Sequence, residues 1–291
     1  MKVTIFTPTY NRAHTLEKLY RSLIEQESQD FEWLLVDDGS TDNTQELIEG
    51  FVNENQLNIR YLKQENSGKH VALNRGVQSA KGRYFGIVDS DDWLLPGAVA
   101  KIIQGFSTIA GSSEFAGISY NIVAPNGDLI GHTFEGAYVD AKSNEREKYN
   151  ILGDKFEVFY TEILQDFPFP TFPGEKFLTE TIVWTRIAHS GYKIRWFNES
   201  TYVADYQENG LTENQNRLNA SNPLGYALRI KEQVEYGNIS LKQKMGYYSN
   251  YYYLLKDRKS LREMAQDLNV NGLIIALSAT VRRLLNKHPR I

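Results

Sequence analysis

The chain contains no cysteine. That excludes a disulfide framework, a thiolate nucleophile and a Cys-ligated zinc, and it fits a reducing compartment. Long hydrophobic runs are missing too. The longest near the C-terminal end, Leu273-Ile274-Ile275-Ala276-Leu277, falls far short of the ~20 residues that span a bilayer. Met1-Lys2 leads straight into Val3-Thr4-Ile5-Phe6, with no apolar stretch of the kind a secretory signal needs. Neither charge sign dominates, since the net charge of −4 argues against a general nucleic-acid binder. A soluble, cytoplasmic chain without a nucleic-acid partner is expected.

Several catalytic signatures are absent as well. Ser67-Gly68-Lys69-His70 lacks the upstream glycine and the following Ser/Thr of a phosphate-cradling P-loop. No GxGxxG follows the first apolar run, so a dinucleotide site is not expected. His14, His70, His132, His189 and His288 show no HExxH spacing, and there is no GxSxG elbow.

What the first part does contain is alternation. Lys2 to Thr7 reads as a strand stopped by Pro8. Leu16, Leu19, Tyr20, Leu23 and Ile24 then follow the i, i+3, i+4, i+7, i+8 spacing of a half-buried helix. Phe31 to Val36 is a second strand, followed by a helix that Thr41 or Asp42 can cap. Ile59 to Leu62, a helix over Lys69 to Ala80, and a strand over Tyr84 to Val88 continue the pattern. Near-continuous apolar strands alternating with helices predict a parallel sheet covered on both faces. Ligands bind such sheets at the carboxyl ends of the strands. Pro8-Thr9-Tyr10-Asn11, Asp37-Asp38, Asn66-Ser67-Gly68-Lys69 and Asp89-Ser90-Asp91-Asp92 all follow strands, so all should meet on one edge.

The last of these is the most informative. Three carboxylates within four residues repel one another unless a cation or hydrogen-bond donors offset them. Hard oxygen ligands suit Mg²⁺ or Mn²⁺ shared with substrate phosphates. The competing reading is an Asp-rich turn that caps the helix whose start Pro96 marks.

Further along, Phe115 to Tyr120 reads as a strand. Pro125-Asn126-Gly127-Asp128 is a turn signal between extended runs at Ser119 to Val123 and Leu129 to Thr133. Residues 140–150 are polar and expected to be exposed. Phe167-Pro168-Phe169-Pro170-Thr171-Phe172-Pro173-Gly174 cannot form a regular helix or central strand and reads as a substrate wall or a surface crossover. A helix over Glu180 to His189 and a strand over Ile194 to Phe197 follow. From about residue 216 the pattern is helical. Tyr247, Tyr248, Tyr251, Tyr252 and Tyr253 read as a packing surface, with a sugar-stacking platform as the alternative. Val281 to Arg290 carries basic and no acidic residues, either touching an anionic membrane face or forming a solvated helix end.

Thr7-Pro8-Thr9-Tyr10-Asn11-Arg12, Asp37-Asp38-Gly39-Ser40-Thr41-Asp42, Asn66 to Lys69 through Ala72-Leu73-Asn74-Arg75-Gly76, and Asp89 to Asp92 resemble, in order and spacing, the successive motifs of family 2 inverting glycosyltransferases. The match is strong over residues 1–110 and looser over 111–212. The resemblance implies an α/β fold of GT-A type: a Rossmann-like, mostly parallel sheet with helices on both faces, followed by a C-terminal helical segment. The expected catalytic domain is 1–215, with a nucleotide-binding half at 1–112 and an acceptor half at 113–215; 216–291 is the helical extension. The implied donor is a UDP-sugar and the acceptor a glycan or a lipid-linked saccharide. The implied setting is polysaccharide assembly at the cytoplasmic face of the inner membrane.

The same resemblance assigns residues. Pro8, Thr9 and Tyr10 would wall the base pocket, with Tyr10 stacked on uracil. Asp38 would accept from the pyrimidine imide, with Lys69 as a second polar contact. Asp89 would face the ribose beside Ser90, and Asp91 would ligate Mn²⁺ or Mg²⁺. The general base falls on Glu180, because Glu180-Thr181-Ile182-Val183-Trp184-Thr185-Arg186 matches the family's helix from its second acid onward; Thr179 replaces the usual first acid. Glu175 is the runner-up. Asp205-Tyr206-Gln207-Glu208 offers no histidine where many relatives carry one, so no third metal ligand is named. Two other functions remain open at this point: a nucleotidyltransferase, which would want a Gly-rich basic loop after the first strand, and a non-catalytic nucleotide-sugar binder, which would need no base.

Overall fold

The computed structural model describes residues 1–206, 215–237 and 239–287, the last three by backbone alone. It divides into two compact units, Met1–Phe169 with Arg186–Glu208, and Pro170–Thr185 with Asn209–Ile291. Residues 170–185 thus cluster with the C-terminal helices.

The first unit is built on one mixed sheet. Strands β1 (Val3–Thr9), β2 (Phe31–Asp37), β3 (Ile59–Lys63) and β4 (Tyr84–Ile87) run parallel in the order β3-β2-β1-β4. Every residue of β1 and β2 is buried, as expected for central strands covered on both faces. Helix α1 (Leu16–Ile24) buries Leu16, Leu19, Tyr20 and Leu23, four residues of the stripe read from the sequence. On its side of the sheet Tyr20 stacks on Phe51 at 3.9 Å, next to Trp33. Helix α2 (Thr44–Glu54) begins after Asn43, and Asp42, one residue before that N-cap position, accepts from the Thr44 N–H and hydroxyl. Helix α3 (Lys69–Ser79) lies close to the sheet: a Cβ on Gly76 would sit 2.1 Å from the Phe6 ring.

Pro8 does not stop β1; the strand runs on to Thr9. Pairing with β4 ends at Phe6↔Ile87, so the N–H that proline lacks would face a side with no ladder left to join.

Beyond the short strand β5 (Trp93–Leu94) and helix α4 (Ala98–Ser107), the sheet continues as β8-β6-β9-β5. These are β6 (Phe115–Val123), β8 (Lys155–Tyr160) and β9 (Lys193–Val203), with β7 (Tyr138–Ala141) paired to β9. β8 is antiparallel to both β4 and β6, whereas β6 and β9 are parallel. The turn at Asn126–Asp128 forms, but its second arm is reduced to a single bridge, Val123↔Leu129. Residues 140–150 hold the end of β7 and a 3-10 helix, Ser143–Tyr149; Ala141 is buried and the others are half-buried or exposed. Helix α5 (Thr161–Asp166) precedes the proline-rich stretch, which has neither helix nor strand, as its prolines require.

The second unit is helical: α7 (Gln215–Ser221), α8 (Pro223–Tyr236), α9 (Leu241–Leu255), α10 (Leu261–Leu268) and α11 (Gly272–Lys287), with α6 (Thr181–His189) beginning within its first segment. Ser240 and Ser260 form reciprocal capping boxes with Gln243 and Glu263. Tyr248 and Tyr251 are buried among Tyr226, Ile230, Leu255, Met264, Leu268 and Ile275, so this tyrosine cluster serves as core.

Candidate functional site

The carboxyl ends of β1, β2 and β4 and the loop after β3 carry the residues read from the sequence, and hydrogen bonds join them. The Asp38 N–H donates to Thr9 O at 2.8 Å, tying the end of β2 to that of β1. Asn11, which adopts a positive φ, takes the Thr41 N–H on its side-chain oxygen, and its own N–H donates to Ser40 Oγ. Gly39 has φ +84° and sits where a Cβ would come within 2.8 Å of Asn66 N, so both conformation and space demand glycine there.

Asp38 is buried and organises the loop after β3. Its Oδ1 accepts the Ser67 N–H and the Gln64 side-chain amide, each at 2.8 Å, and Oδ2 accepts the Gly68 N–H at 2.7 Å. Three donors leave lone-pair capacity on a carboxylate, which has about four acceptor positions. Pro8 and Thr9 are buried; Tyr10 is 48% exposed, an aromatic ring in solvent at this edge.

After β4, Ser90 is buried and three aspartates have distinct surroundings. Asp89 is gripped by the Lys69 ammonium, whose Nζ lies 2.8 and 3.0 Å from its two oxygens. Asp91 faces the Arg12 guanidinium at 3.7 Å. Burial and then the Asp89 charge push its carboxyl above the usual range, more than Arg12 pulls it down. Asp92 is held from β9, with which β5 pairs, and from the segment after it. The Tyr202 hydroxyl donates to its Oδ2 at 2.5 Å, and the Asp205 N–H donates to Oδ1 at 2.8 Å. The same hydroxyl accepts the Asp89 N–H at 3.1 Å. Desolvation, followed by the Asp89 charge, pushes Asp92 up to about 7. Lys18 pairs with Asp205 at 2.9 Å and lies over the Trp93 ring.

The structure therefore brings Pro8, Thr9, Tyr10, Asp38, Lys69, Asp89, Ser90 and Asp91 to one sheet edge. Sequence reasoning gave no role to Arg12, Asp92 or Tyr202. Arg12 stood within the first motif; Tyr202, in β9, carried no local signal. Gln207, Glu208 and residues 288–291 lie outside the described residues. Among the described residues no three carboxylate or imidazole groups gather into a complete cation cage. The donor set still fits Mg²⁺ or Mn²⁺: raised, mutually repelling carboxylates of hard oxygen type are what a cation shared with substrate phosphates relieves.

Glu180 and Glu175 belong to the second unit. Glu180 is half-buried immediately before α6, its carbonyl accepting the Val183 and Trp184 N–H groups. Glu175 is committed elsewhere. Its two oxygens accept the Leu224 and Gly225 N–H groups at 2.7 and 2.8 Å, at the N-terminus of α8. There an anion also meets the positive end of the helix.

Comparison with known proteins places these features in context. The family model described as "Glycosyl transferase family 2" matches residues 4–152. The chain is 24% identical to the GalNAc(5)-diNAcBac-PP-undecaprenol beta-1,3-glucosyltransferase of Campylobacter jejuni, with 96% of this chain and 94% of that one covered. Among solved structures it resembles S. aureus TarS in complex with UDP-GlcNAc (18% identity, 97% and 92% coverage, TM-score 0.60). It also resembles a mannosyltransferase of Pyrobaculum calidifontis in complex with GDP-Man and Mn²⁺ (18% identity, 99% and 88% coverage, TM-score 0.57). Both share the fold.

Proposed function

Because the chain belongs to glycosyl transferase family 2, as a nucleotide-sugar-dependent glycosyltransferase, we propose that it transfers a hexose-type residue with inversion from a UDP-sugar, aided by a divalent metal. The acceptor is a glycan or lipid-linked saccharide, in polysaccharide assembly at the cytoplasmic membrane face. The observation that carries this reading is the convergence of Tyr10, Asp38, Lys69, Asp89 and Asp91 on one sheet edge, with Asp89 already paired to Lys69 and Asp91 facing Arg12.

In this reading Tyr10 stacks on uracil; base–aromatic stacking contributes about 1–3 kcal/mol in comparable sites. Asp38 reads the imide through its remaining acceptor capacity, while its three internal bonds hold the loop rigid. Asp89 faces the ribose. Asp91 would hold the cation, which when bound neutralises charge on the departing diphosphate. Glu180 takes the proton of the acceptor hydroxyl as it attacks the anomeric carbon in line. Commitment of Glu175 to α8 favours Glu180 over Glu175 for that role. The GDP-Man and UDP-GlcNAc complexes of the two structural neighbours support a nucleotide-sugar donor and leave the choice of base to these side chains. The lipid-linked name of the Campylobacter relative supports the acceptor class.

The test is calorimetry of UDP and ADP binding with and without Mn²⁺. The wild type should bind UDP well above ADP in Mn²⁺, and Asp91→Asn should lose the Mn²⁺-dependent part while keeping its fold. Equal affinity for UDP and ADP would sink the base assignment. An unchanged Mn²⁺ dependence in Asp91→Asn would sink the metal assignment.

A further inference from the structure

Helix α11 is apolar on two opposite sides. One side, with Ile275, Ser278 and Ala279 buried, packs within the helical unit against α9. The Tyr253 hydroxyl donates to Ala279 O at 3.0 Å, and the Arg282 guanidinium lies over the Tyr253 ring and bonds to Asn250, so the packing is specific. The other side presents Leu273 at 75% exposure, Ile274 at 45%, Leu277 at 59% and Leu284 at 58%, with half-buried Val281 between them. At 100° per residue these five fall within about one third of the helix circumference, a continuous aliphatic stripe. Scattered exposed leucines need no explanation, whereas a contiguous strip of them on a rigid helix marks a contact surface.

Charge selects the occupant. Besides Arg282, which is engaged by Tyr253 and Asn250 on the packed side, residues 269–291 include Arg283, Lys287 and Arg290 and no aspartate or glutamate, although the whole chain is acidic at −4. Arg283 is exposed on the flank of the stripe. In a twofold contact between copies of this face, the partner's stripe is this same acid-free segment and offers the arginines no carboxylate. An anionic lipid surface satisfies both features, taking the aliphatic side chains between its headgroups and pairing with the basic flank. No helix among the described residues is long and apolar enough to cross a membrane, so such a contact lies along the surface.

We propose that the α11 stripe is a peripheral membrane-docking surface for anionic phospholipid. It does not depend on the reading of the donor site. The experiment is flotation of the full chain with vesicles of phosphatidylglycerol and phosphatidylcholine, and with phosphatidylcholine alone. Three proteins are compared: wild type, Leu277→Glu/Leu284→Glu and Arg283→Glu. Both altered positions of the double variant are exposed, so circular dichroism and UDP calorimetry should match the wild type. The wild type should float with the anionic vesicles, more weakly at high salt, and at least tenfold better than with phosphatidylcholine alone. The double variant should lose at least tenfold, and Arg283→Glu severalfold on anionic vesicles only. Failure of the wild type to float, or equal flotation of the double variant, would overturn the proposal. A wild-type dimer in sedimentation that the double substitution dissociates would overturn it too, by showing a second copy on the stripe.

Discussion

At the scale of single residues, the acidic cluster divides its labour. Asp89 and Asp91 face cations, while Asp92 is turned inward to Tyr202 and the Asp205 backbone. Tyr202→Phe removes the donor to Asp92 and the acceptor of the Asp89 N–H inside a buried site, which should cost about 1–3 kcal/mol. Urea unfolding would check this, and a loss below a few tenths of a kcal/mol would contradict the network. The aspartates were legible because their repulsion is written within four consecutive residues. Tyr202 was not, since nothing in its neighbourhood in the chain signals a partner 110 positions away. The family resemblance offers Asp38 as a base reader; the structure shows it holding the loop after β3. Asp38→Ala should therefore lower stability as well as the UDP preference, because its three donors would be left unpaired.

At the scale of elements, the parallel strands were readable because burial on both faces leaves near-continuous apolar runs. β8 was not, because Lys155 and Glu157 interrupt its pattern, and β7 is a four-residue strand with one buried side chain. The hairpin arm after Asp128 was overread, since turn chemistry sets a reversal without ensuring a ladder. Glu175, held as runner-up for the base, also has a structural task at a helix end that its place in the chain did not signal: its two oxygens accept the Leu224 and Gly225 N–H groups at the start of α8. Glu175→Ala should cost about 1–2 kcal/mol by leaving those N–H groups without their charged acceptor, with transfer by the folded protein close to wild type. Denaturant midpoints and initial rates measured together would check this. A rate loss of 10²-fold without a change in stability would make Glu175 the base.

At the scale of the whole molecule, two units assembled from interleaved segments could not be read from a linear chain, whereas the α/β class and the helical end could. A desolvated carboxyl adds a pH dependence. Glu157 lies half-buried on β8, and desolvation pushes it up to about 7 from the ordinary 4.5 despite the pull of Arg146. Below the ordinary value both folded and unfolded forms hold the proton. Between there and about 7 only the folded form does, so stability falls as pH rises through that window and levels above it. Glu157→Gln should flatten part of that decline in thermal unfolding at pH 5, 6 and 7.5, and an unchanged slope would contradict the assignment. The central claim is inverting transfer from a UDP-sugar with Glu180 as base, and proton NMR of the product's anomeric signal tests it most directly. With a UDP-hexose, Mn²⁺ and a saccharide acceptor, the account predicts the anomeric configuration opposite to the donor's, formed about 10²–10⁴-fold more slowly by Glu180→Gln. A product of retained configuration, or a Glu180→Gln rate equal to wild type, would contradict it.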